Sequence, residues 1–363
     1  MGIRHSPNLR AILARPDQPI SDAFKILSAT EQGIVLVVEA DHRLVGTVTD
    51  GDMRRAVLER LDFSLPISTL LAKKKGTRFE NPITALPGQS PEAYLKILKK
   101  NEVLHLPVVD AEGRVLDLLC LDDLMPDRDL SVQAVLMAGG QGKRLMPLTE
   151  KTPKPMLPVG NQPLMEIIIR NLRKSGIRKV KITTHHKSEE IVSHFEDGKK
   201  FDIEVSYLDE KEPLGTAGAL GLLEKTKETL LVMNGDILTD MDFRSMIAFH
   251  KEHEADCTVA VRKYDVKVPY GVINCEEEVI TDVIEKPVYN LFVNAGIYLI
   301  EPSVLGPMRK KAEYCDMPDL IKRFIAQKKT VISFPIMEEW IDIGHHQSYE
   351  EAQKLVESWS SKL

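Results

Sequence analysis

Along the first third of the chain, apolar residues recur at helical spacing and then gather into short continuous runs. Each helical stretch has one apolar face, and it is followed by an apolar strand, a polar turn, a second strand and an acidic helix start. The pattern therefore predicts a small βαβ-like unit that occurs twice. The apolar helix positions are Ala23, Ile26, Leu27, Tyr94, Ile97 and Leu98.

The two units form an internal repeat with a constant offset of 71 residues, at about 5–62 and 75–127. Residues 37–43, for example, return as 108–114 with closely related side chains. One unit of this size cannot bury its own sheet, so we expect the two copies to pack together, and two chains to associate beyond that. The lysines at 73–75 are interpreted as a solvated linker.

From residue 132 onward the pattern changes to apolar strands separated by helical stretches. It predicts an α/β domain with a Rossmann-like, mixed and mainly parallel sheet flanked by helices. A proline and alternating charges near residue 126 mark the change, so we expect domains at 1–127 and 132–363 with a linker at 128–131. The predicted strands are 134–138, 179–184, 203–207, 229–233 and 257–262.

Composition narrows the function classes. The 363 residues are 43% hydrophobic, and 48 basic and 54 acidic residues give a net charge of −6 without a basic stripe, so nucleic acid is not an expected partner. The sequence has no run of about 18 apolar residues, which a membrane-spanning helix would require. The 4 cysteines lie far apart, which suits a reducing compartment. We therefore expect a cytoplasmic protein with no membrane partner.

The most informative polar residues of the first repeat are Thr49 and Asp52, three apart at a predicted helix start. In this setting the repeats resemble CBS domains, which occur as tandem pairs and commonly bind adenine or guanine nucleotides. The resemblance implies that Thr49 and Asp52 hold the ribose of a regulatory nucleotide; a helix cap is the alternative. The second repeat has Cys120 and Asp123 at these positions, which puts its own site in doubt.

A glycine-rich loop follows the first strand of the second domain. Its glycines let the backbone approach a phosphate closely, and the helix start expected after them offers free N–H donors. A dinucleotide-binding fingerprint is the competing interpretation, but Lys143 and Arg144 stand where it expects small or apolar residues. The two cations instead suit a triphosphate, whose departing pyrophosphate needs its charge neutralised.

Lys154 lies between Pro153 and Pro155. Because proline fixes φ and restricts the residue before it, we expect Lys154 on a rigid, extended stretch. An ordinary solvated lysine is the alternative. We favour a functional lysine, since a freely solvated one does not need such a stiff mounting.

The stretch from Gly139 to Gly160 resembles the signature of the sugar nucleotidyltransferases, and further motifs follow in that family's order over about residues 132–355. The resemblance implies an enzyme of the EC 2.7.7 class, in which a sugar 1-phosphate attacks the α-phosphate of a nucleoside triphosphate and pyrophosphate leaves. It also implies that Arg144 contacts the leaving phosphates and that Lys154 bridges the reacting groups. The further motifs are 214–218, 234–236, 270–273, 285–287, 294–298 and 340–344.

Two aspartates are the predicted metal ligands. Asp236 follows an apolar strand, which places its carboxylate beside the glycine loop, and Asp342 lies in a Trp-x-Asp-x-Gly context. Mg²⁺ usually takes one or two carboxylates plus substrate phosphates, so this pair suffices. A structural turn is the alternative for Asp236. The histidine pairs 185–186 and 345–346 are weaker candidates, because adjacent side chains point in different directions.

The resemblance implies the remaining site residues as well. The catalytic candidates are Arg144, Lys154, Asp236 and Asp342. The nucleotide-binding candidates are Leu136, Ala138, Gly139, Gly140, Gly142, Gly215 and Thr216. The candidates for the sugar phosphate are Gly271, Glu285, Lys286 and Asn294.

The fused CBS pair and residues 208–218 are similar to guanylyltransferases that act on glucosamine 1-phosphate or mannose 1-phosphate. We therefore expect GTP and one of these sugars, in cell-surface glycan or nonulosonic acid biosynthesis, and a homo-oligomer of two or more chains. One alternative is a thymidylyl-, uridylyl- or cytidylyltransferase that acts on a hexose 1-phosphate. Another is a catalytically silent subunit that senses nucleotide sugars, although the four catalytic candidates favour an enzyme.

Overall fold

The computed structural model describes residues 9–30, 32–125, 130–140, 142–185, 188–306 and 313–360. The chain divides into two compact units, Met1–Arg128 and Asp129–Leu363. Residues 128 and 129 of the expected linker lie outside the described ranges. No helix within these ranges is long and apolar enough to span a membrane.

The first unit contains the predicted repeat. β1 pairs in parallel with β2, β2 pairs antiparallel with β3, and β4 pairs antiparallel with β5. The predicted order of helix, strand, turn, strand and helix is confirmed in both copies. The elements are β1 (Leu13–Ala14), α1 (Ile20–Thr30), β2 (Ile34–Val38), β3 (Leu44–Thr49), α2 (Asp50–Leu58), α3 (Ser68–Lys73), α4 (Pro91–Asn101), β4 (His105–Val109), β5 (Val115–Cys120) and α5 (Leu121–Leu124).

The two repeats share a hydrophobic core, because a sheet of two or three strands cannot bury its own apolar face. This finding confirms that the two copies pack together. A second cluster packs α4 against β4 and β5. The shared core consists of Ile12, Ile34, Leu36, Val38, Val109, Val115 and Leu118.

The second unit begins with the predicted alternation of strands and helices. All five strands predicted from the apolar runs occur, as β6, β9, β10, β11 and β13. The elements are β6 (Val132–Met137), β7 (Pro158–Val159), β8 (Gln162–Pro163), α6 (Leu164–Lys174), β9 (Lys179–Thr184), α7 (Ser188–Phe195), β10 (Glu204–Asp209), α8 (Gly215–Gly218), β11 (Thr229–Asn234), β12 (Ile237–Thr239), α9 (Phe243–Glu252), β13 (Cys257–Lys267), β14 (Val272–Glu276), β15 (Val279–Ile284), β16 (Val288–Ile300), α10 (Met317–Ala326), β17 (Val331–Ile336), β18 (Trp340–Asp342) and α11 (His346–Ser360).

The main sheet of this unit has seven strands in the order β10-β9-β6-β11-β16-β13-β17. β16 runs antiparallel to both of its neighbours, whereas the other neighbouring pairs are parallel. The predicted mixed, mainly parallel sheet is therefore confirmed. Because the parallel strands end at one edge, the loops after β6 and β11 meet there.

Helices cover both faces of this sheet. On one face, Phe324 of α10 packs in a cluster with Leu230 and Val232 of β11. Phe249 of α9 instead meets Phe334 of β17 edge-on, with ring centroids 5.4 Å apart. Val331, three residues before Phe334, packs against the α10 cluster, so α9 lies on the opposite face of the strand.

Beyond the sheet, β13 and β16 continue as a two-stranded ribbon that carries the hairpin of β14 and β15. The outer part of the ribbon is exposed on both faces, although much of it is apolar. β16 runs from this exposed ribbon into the buried centre of the sheet without interruption. Exposed apolar residues of the ribbon include Tyr264, Tyr270, Ile273, Val279, Ile280, Val283 and Leu291.

Candidate active site

The glycine loop leaves β6 at the carboxyl edge of the sheet. No atom of the described residues lies within 4 Å of the place where a Cβ of Gly140 would stand, so this part of the chain leaves the backbone there open to a ligand. Gly142 has a φ of +65°, and a Cβ on it would lie 2.8 Å from Cγ2 of Thr149. Glycine is therefore required at 142 by the turn itself.

The prediction of a helix after these glycines is wrong. The chain forms a three-residue 3₁₀ turn, Lys143–Leu145, and Pro147 follows it closely. Proline cannot donate the next helical hydrogen bond, so the turn does not grow into an α-helix. A three-residue turn has little of the dipole that a full helix would offer to an anion.

Lys154 is partly buried and paired. Its side chain is 11% exposed, and its ammonium group forms an ion pair with Oδ2 of Asp236, so the solvated alternative is wrong. The prediction that Lys154 lies on an extended stretch is also wrong. Pro153 is extended, but Lys154–Met156 forms a 3₁₀ turn. The turn is held by hydrogen bonds, one of them from the Leu157 N–H to the Lys154 carbonyl at 3.1 Å.

Asp236 and Asp342 lie at the adjoining ends of two paired strand segments. Asp236 directly precedes β12, which pairs antiparallel with β18 so that Ile237 stands opposite Asp342. The Ile343 N–H donates to the Asp236 carbonyl at 3.0 Å. Burial, and then the negative charge of Asp236, raise the pKa of Asp342. The two carboxylates are therefore close enough for their charges to interact.

These carboxylates fit a divalent metal ion. Oδ1 of Asp236 is buried and has no hydrogen-bond partner among the described residues. A buried polar atom without a partner usually has a reason, such as an ion that binds there. With Asp342, it offers the hard oxygen ligands that Mg²⁺ prefers. The described ranges hold no cluster of three or more His, Cys, Asp or Glu, so water and phosphate oxygens would complete the coordination.

Arg144 lies over the turn that follows Asp342. A Cβ built on Gly344 would be 3.6 and 3.7 Å from the two terminal nitrogens of Arg144, and 3.4 Å from Oδ1 of Asp342. The positive charges of Lys154, Arg144 and His345 oppose the rise in the pKa of Asp342. The structure thus brings the four catalytic candidates together at one edge of the sheet.

Glu210 is a residue of this region that the sequence analysis missed. It is 6% exposed, and its Oε1 lies 3.1 Å from the place where a Cβ of Gly139 would stand. Its Oε2 accepts from the Leu214 N–H at 3.2 Å. Glu210 therefore connects the glycine loop with the turn at 214–218. The sequence shows only an acid among other charged residues, so its burial is the signal that singles it out.

The turn with Gly215 and Thr216 is fixed to the start of α10. The N–H and the hydroxyl of Thr216 both donate to Oδ1 of Asp316, at 3.1 and 3.3 Å. Gly215 has a φ of +74°, and a Cβ on it would lie 2.7 Å from the Cys315 carbonyl oxygen. Thr216 thus already has a protein partner, so the turn can offer a ligand its shape and backbone more readily than this hydroxyl.

The other nucleotide-binding candidates differ in access. Leu136 is fully buried inside the sheet and Ala138 is 3% exposed. The Ala138 N–H donates to the Thr183 hydroxyl at 3.2 Å. The backbone becomes open only from Gly139 and Gly140 onward, so a ligand at this edge would meet the glycines first.

The sugar-phosphate candidates fall into two groups. Oδ1 of Asn294 accepts from the Gly296 N–H at 3.0 Å, and a Cβ on Gly296 would lie 2.7 Å from Nδ2 of Asn234, two residues before Asp236. Asn294 is therefore near the carboxylate pair. Gly271, Glu285 and Lys286 lie on the exposed ribbon, where Lys286 and Glu285 form an ion pair of 3.8 Å.

In the first unit, Thr49 and Asp52 form a capping box at the start of α2. Asp52 is 6% exposed, and its carboxylate is also paired with Arg55 and Lys74, each at 2.6 Å. Burial alone would raise the pKa of Asp52, but Lys74 and Arg55 lower it. The carboxylate that would hold a ribose therefore already has several partners.

Lys74 corrects one interpretation made from the sequence. Its side chain is 11% exposed, and it also donates to the Thr47 carbonyl at 2.9 Å. The reading of 73–75 as a solvated linker is therefore wrong for Lys74. A buried carboxylate needs a cationic partner, and the chain just after α3 supplies one.

Sequence comparison adds a family to this geometry. The profile described as Nucleotidyl transferase matches residues 133–358, and the profile of the CBS domain matches 7–59 and 78–126. The chain belongs to the nucleotidyl transferase family. It carries two CBS domains ahead of the nucleotidyl transferase domain.

Named relatives lie within this family. A mannose-1-phosphate guanylyltransferase 1 of Arabidopsis thaliana is 32% identical over 230 residues, which cover 60% of this chain and 63% of the relative. A UTP–glucose-1-phosphate uridylyltransferase of Synechocystis sp. is 29% identical over 241 residues, with 61% and 62% covered. The chain thus spans less than two thirds of the length of these relatives.

A solved structure shares the fold. It is a candidate glucose-1-phosphate thymidylyltransferase from Bacillus anthracis, in complex with sucrose. It matches with a TM-score of 0.50 and 25% identity, covering 62% of this chain and 94% of that one. The mainly parallel sheet flanked by helices is therefore the fold of a nucleotidyltransferase.

Proposed function

We propose that the second unit transfers a nucleotidyl group from a nucleoside triphosphate to a sugar 1-phosphate and releases pyrophosphate. The observation that carries this proposal is the arrangement of Lys154, Asp236 and Asp342. The partly buried ammonium group of Lys154 pairs with one oxygen of Asp236, while the other oxygen has no hydrogen-bond partner among the described residues. Asp236 directly precedes the strand that pairs with the strand of Asp342.

The chemistry requires positioning more than proton transfer. The sugar phosphate is already an anionic nucleophile, so the main obstacle is the repulsion between two polyanions. Lys154 would hold the reacting phosphates together, and Arg144 would stabilise the charge that develops on the departing pyrophosphate. Mg²⁺ held by Asp236 and Asp342 would supply further charge neutralisation and fix the phosphate orientation.

We propose GTP as the nucleotide on the chemistry of Glu210. An ionised carboxylate only accepts hydrogen bonds, and guanine presents two adjacent donors, its N1–H and its amino group. Uracil and thymine present one N–H between two carbonyl oxygens, which a carboxylate repels. Glu210 lies between the glycine loop and the turn at 214–218, where the base is expected.

The named relatives support a sugar phosphate of the hexose class. Guanylyltransferases for mannose 1-phosphate match at 32% identity. We therefore propose mannose 1-phosphate or glucosamine 1-phosphate as the acceptor, with Asn294, Gly271, Glu285 and Lys286 as the residues that bind it. The biosynthetic purpose and the homo-oligomeric assembly stay predictions.

The test is pyrophosphate release from a matrix of substrates. The full chain with MgCl₂ is offered GTP, dTTP, UTP, CTP or ATP, each with mannose, glucosamine or glucose 1-phosphate. We expect the fastest release with GTP and one of the first two sugars, and a rate about 10²–10³ times lower from Lys154→Met. A preference for another base would overturn the guanine assignment alone. No release with any pair would favour the nucleotide-sugar sensor.

A further inference from the structure

The last helix, α11, contacts both ends of the loop that carries Lys154. At the first end, Nε2 of His346 donates to the Met146 carbonyl at 2.8 Å. At the other end, the Tyr349 hydroxyl donates to the Pro158 carbonyl at 2.5 Å. One rigid element therefore holds the loop on both sides of Lys154.

Gln353 makes the most specific of these contacts. Its side-chain N–H donates to the Pro158 carbonyl at 2.7 Å, and its carbonyl accepts from the Gly160 N–H at 2.8 Å. The amide thus pairs with the loop backbone as a neighbouring strand would. Gly160 has a φ of +61°, and a Cβ on it would lie 3.0 Å from Cγ1 of Val356. The loop therefore packs closely on the helix at this point.

The same helix is joined to the metal-ligand candidate by a very short connection. β18 ends at Asp342 and α11 begins at His346. The first turn is fixed by the hydrogen bond from the His345 N–H to the Ser348 hydroxyl at 3.2 Å. A shift of α11 would therefore act on both the loop of Lys154 and the strand of Asp342.

We propose that α11 is a positioning clamp for the reaction, in which Gln353 and Tyr349 hold Lys154 against Asp236. The kinetic consequence of the clamp rests on the proposed function. Its structural consequence does not, because the pair of Lys154 and Asp236 exists without substrate. Gln353 and Tyr349 are positioning residues, since they act through the loop and reach no reacting atom themselves.

The variants are Gln353→Leu, which removes both hydrogen bonds at nearly constant volume, and Tyr349→Phe, which removes only a hydroxyl. The matched control is Gln347→Leu on the same helix, because the amide of Gln347 bonds to Glu351 at 2.9 Å and not to the loop. Two quantities are measured on the full chain. One is the rate at which an amine-reactive ester modifies Lys154, followed by mass spectrometry, and the other is kcat and KM.

We expect Lys154 in Gln353→Leu to be modified several times faster than in the wild type, while other lysines keep their rates. We also expect kcat to fall between about 10- and 100-fold with KM changed much less, because a displacement of about 1 Å has such effects. Tyr349→Phe should show the same pattern more weakly, and Gln347→Leu should match the wild type.

If Lys154 is modified at the same rate in Gln353→Leu as in the wild type, the proposed clamp is wrong. Faster modification of all lysines together with a large fall in Tm would also overturn it, because that result indicates general unfolding. If the wild type releases no pyrophosphate from any substrate pair, the proposed function fails, and the modification rates still decide whether α11 holds Lys154.

Discussion

The ammonium group of Lys154 and one carboxylate oxygen of Asp236 form a partly buried ion pair, while the other oxygen of Asp236 has no partner in the described part of the chain. The aspartate therefore meets a fixed cation on one side and leaves a ligand position on the other. A lysine and a metal ion that share one carboxylate would both act on a phosphate placed between them.

Replacement of Lys154 by Met should reduce the rate of pyrophosphate release by a factor of about 10²–10³. Methionine keeps the length of the side chain and removes the charge that stabilises the transferring phosphate. The control is Lys151→Met, because Lys151 is an exposed lysine of the same loop. An equal loss in both variants would contradict a specific role for Lys154.

Replacement of Asp342 by Asn should abolish activity and raise the stability of the metal-free protein at neutral pH. The pKa of Asp342 is raised above its ordinary value of 3.8. The protonated side chain therefore stabilises the folded protein below pH 3.8, and this stabilisation is lost as the pH rises through the raised pKa. Asparagine removes this loss. Tm of the variant should be higher than that of the wild type at pH 7, and the difference should be smaller at pH 4.

Mg²⁺ should reverse this difference in stability. In the wild type, a bound cation offsets the repulsion between Asp342 and Asp236, so MgCl₂ should raise the wild-type Tm and leave Asp342→Asn nearly unchanged. Thermal unfolding followed by near-UV circular dichroism checks both statements without substrate. An identical response of the two proteins to MgCl₂ would contradict the proposed metal site.

Replacement of Glu210 by Gln should weaken the preference for GTP over UTP by about 10- to 100-fold, since a paired set of hydrogen bonds to a base edge discriminates by ~1–3 kcal/mol. The amide still accepts from the Leu214 N–H, so the turn keeps its support. Glu212→Gln, on an exposed acid two residues later, is the control. The ratio of kcat/KM for the two nucleotides is the measurement, and an unchanged ratio would remove Glu210 from base recognition.

Replacement of Lys74 by Ala should loosen the first unit and open Asp52 to ribose hydroxyls. The loss of a buried charged hydrogen bond should cost about 2 kcal/mol. The pKa of Asp52 is lowered from its ordinary value of 3.8, so its ionised carboxylate stabilises the folded protein above that pH, and this stabilisation is lost in more acidic solution. Because Lys74 contributes to the lowered pKa, the variant should lose less stability on acidification. Isothermal titration with AMP, ATP, GMP and GTP should detect tighter binding than in the wild type. Equal affinities would mean that nucleotides do not use this carboxylate.

Much of the fold could be predicted from the sequence, because the deciding signals are local. The repeat and the first five strands of the sheet depend on the spacing of apolar residues along the chain. β16 and the ribbon could not be found this way. Their outer residues alternate poorly between apolar and polar, because both faces are exposed, and β16 pairs with strands far away along the chain.

For the candidate site, too, residues with local sequence signals were predicted and residues that depend on distant contacts were not. The local sequence around Lys154 and Asp236, together with the resemblance to the family's motifs, selected Lys154, Asp236 and Asp342, which the structure brings together. Glu210, Lys74 and Gln353 were missed, or misread in the case of Lys74, because each matters through burial or through a partner distant in the sequence. Gln353, for instance, bonds to a backbone 193 residues away, and a sequence window does not contain such a contact.

β16 belongs both to the exposed ribbon and to the buried sheet. The strand leaves the ribbon at Val288, passes Asn294 and ends at Ile300 beside β11. One strand therefore joins the exposed ribbon, which carries Glu285 and Lys286, to the centre of the sheet beside the strand that ends just before Asp236.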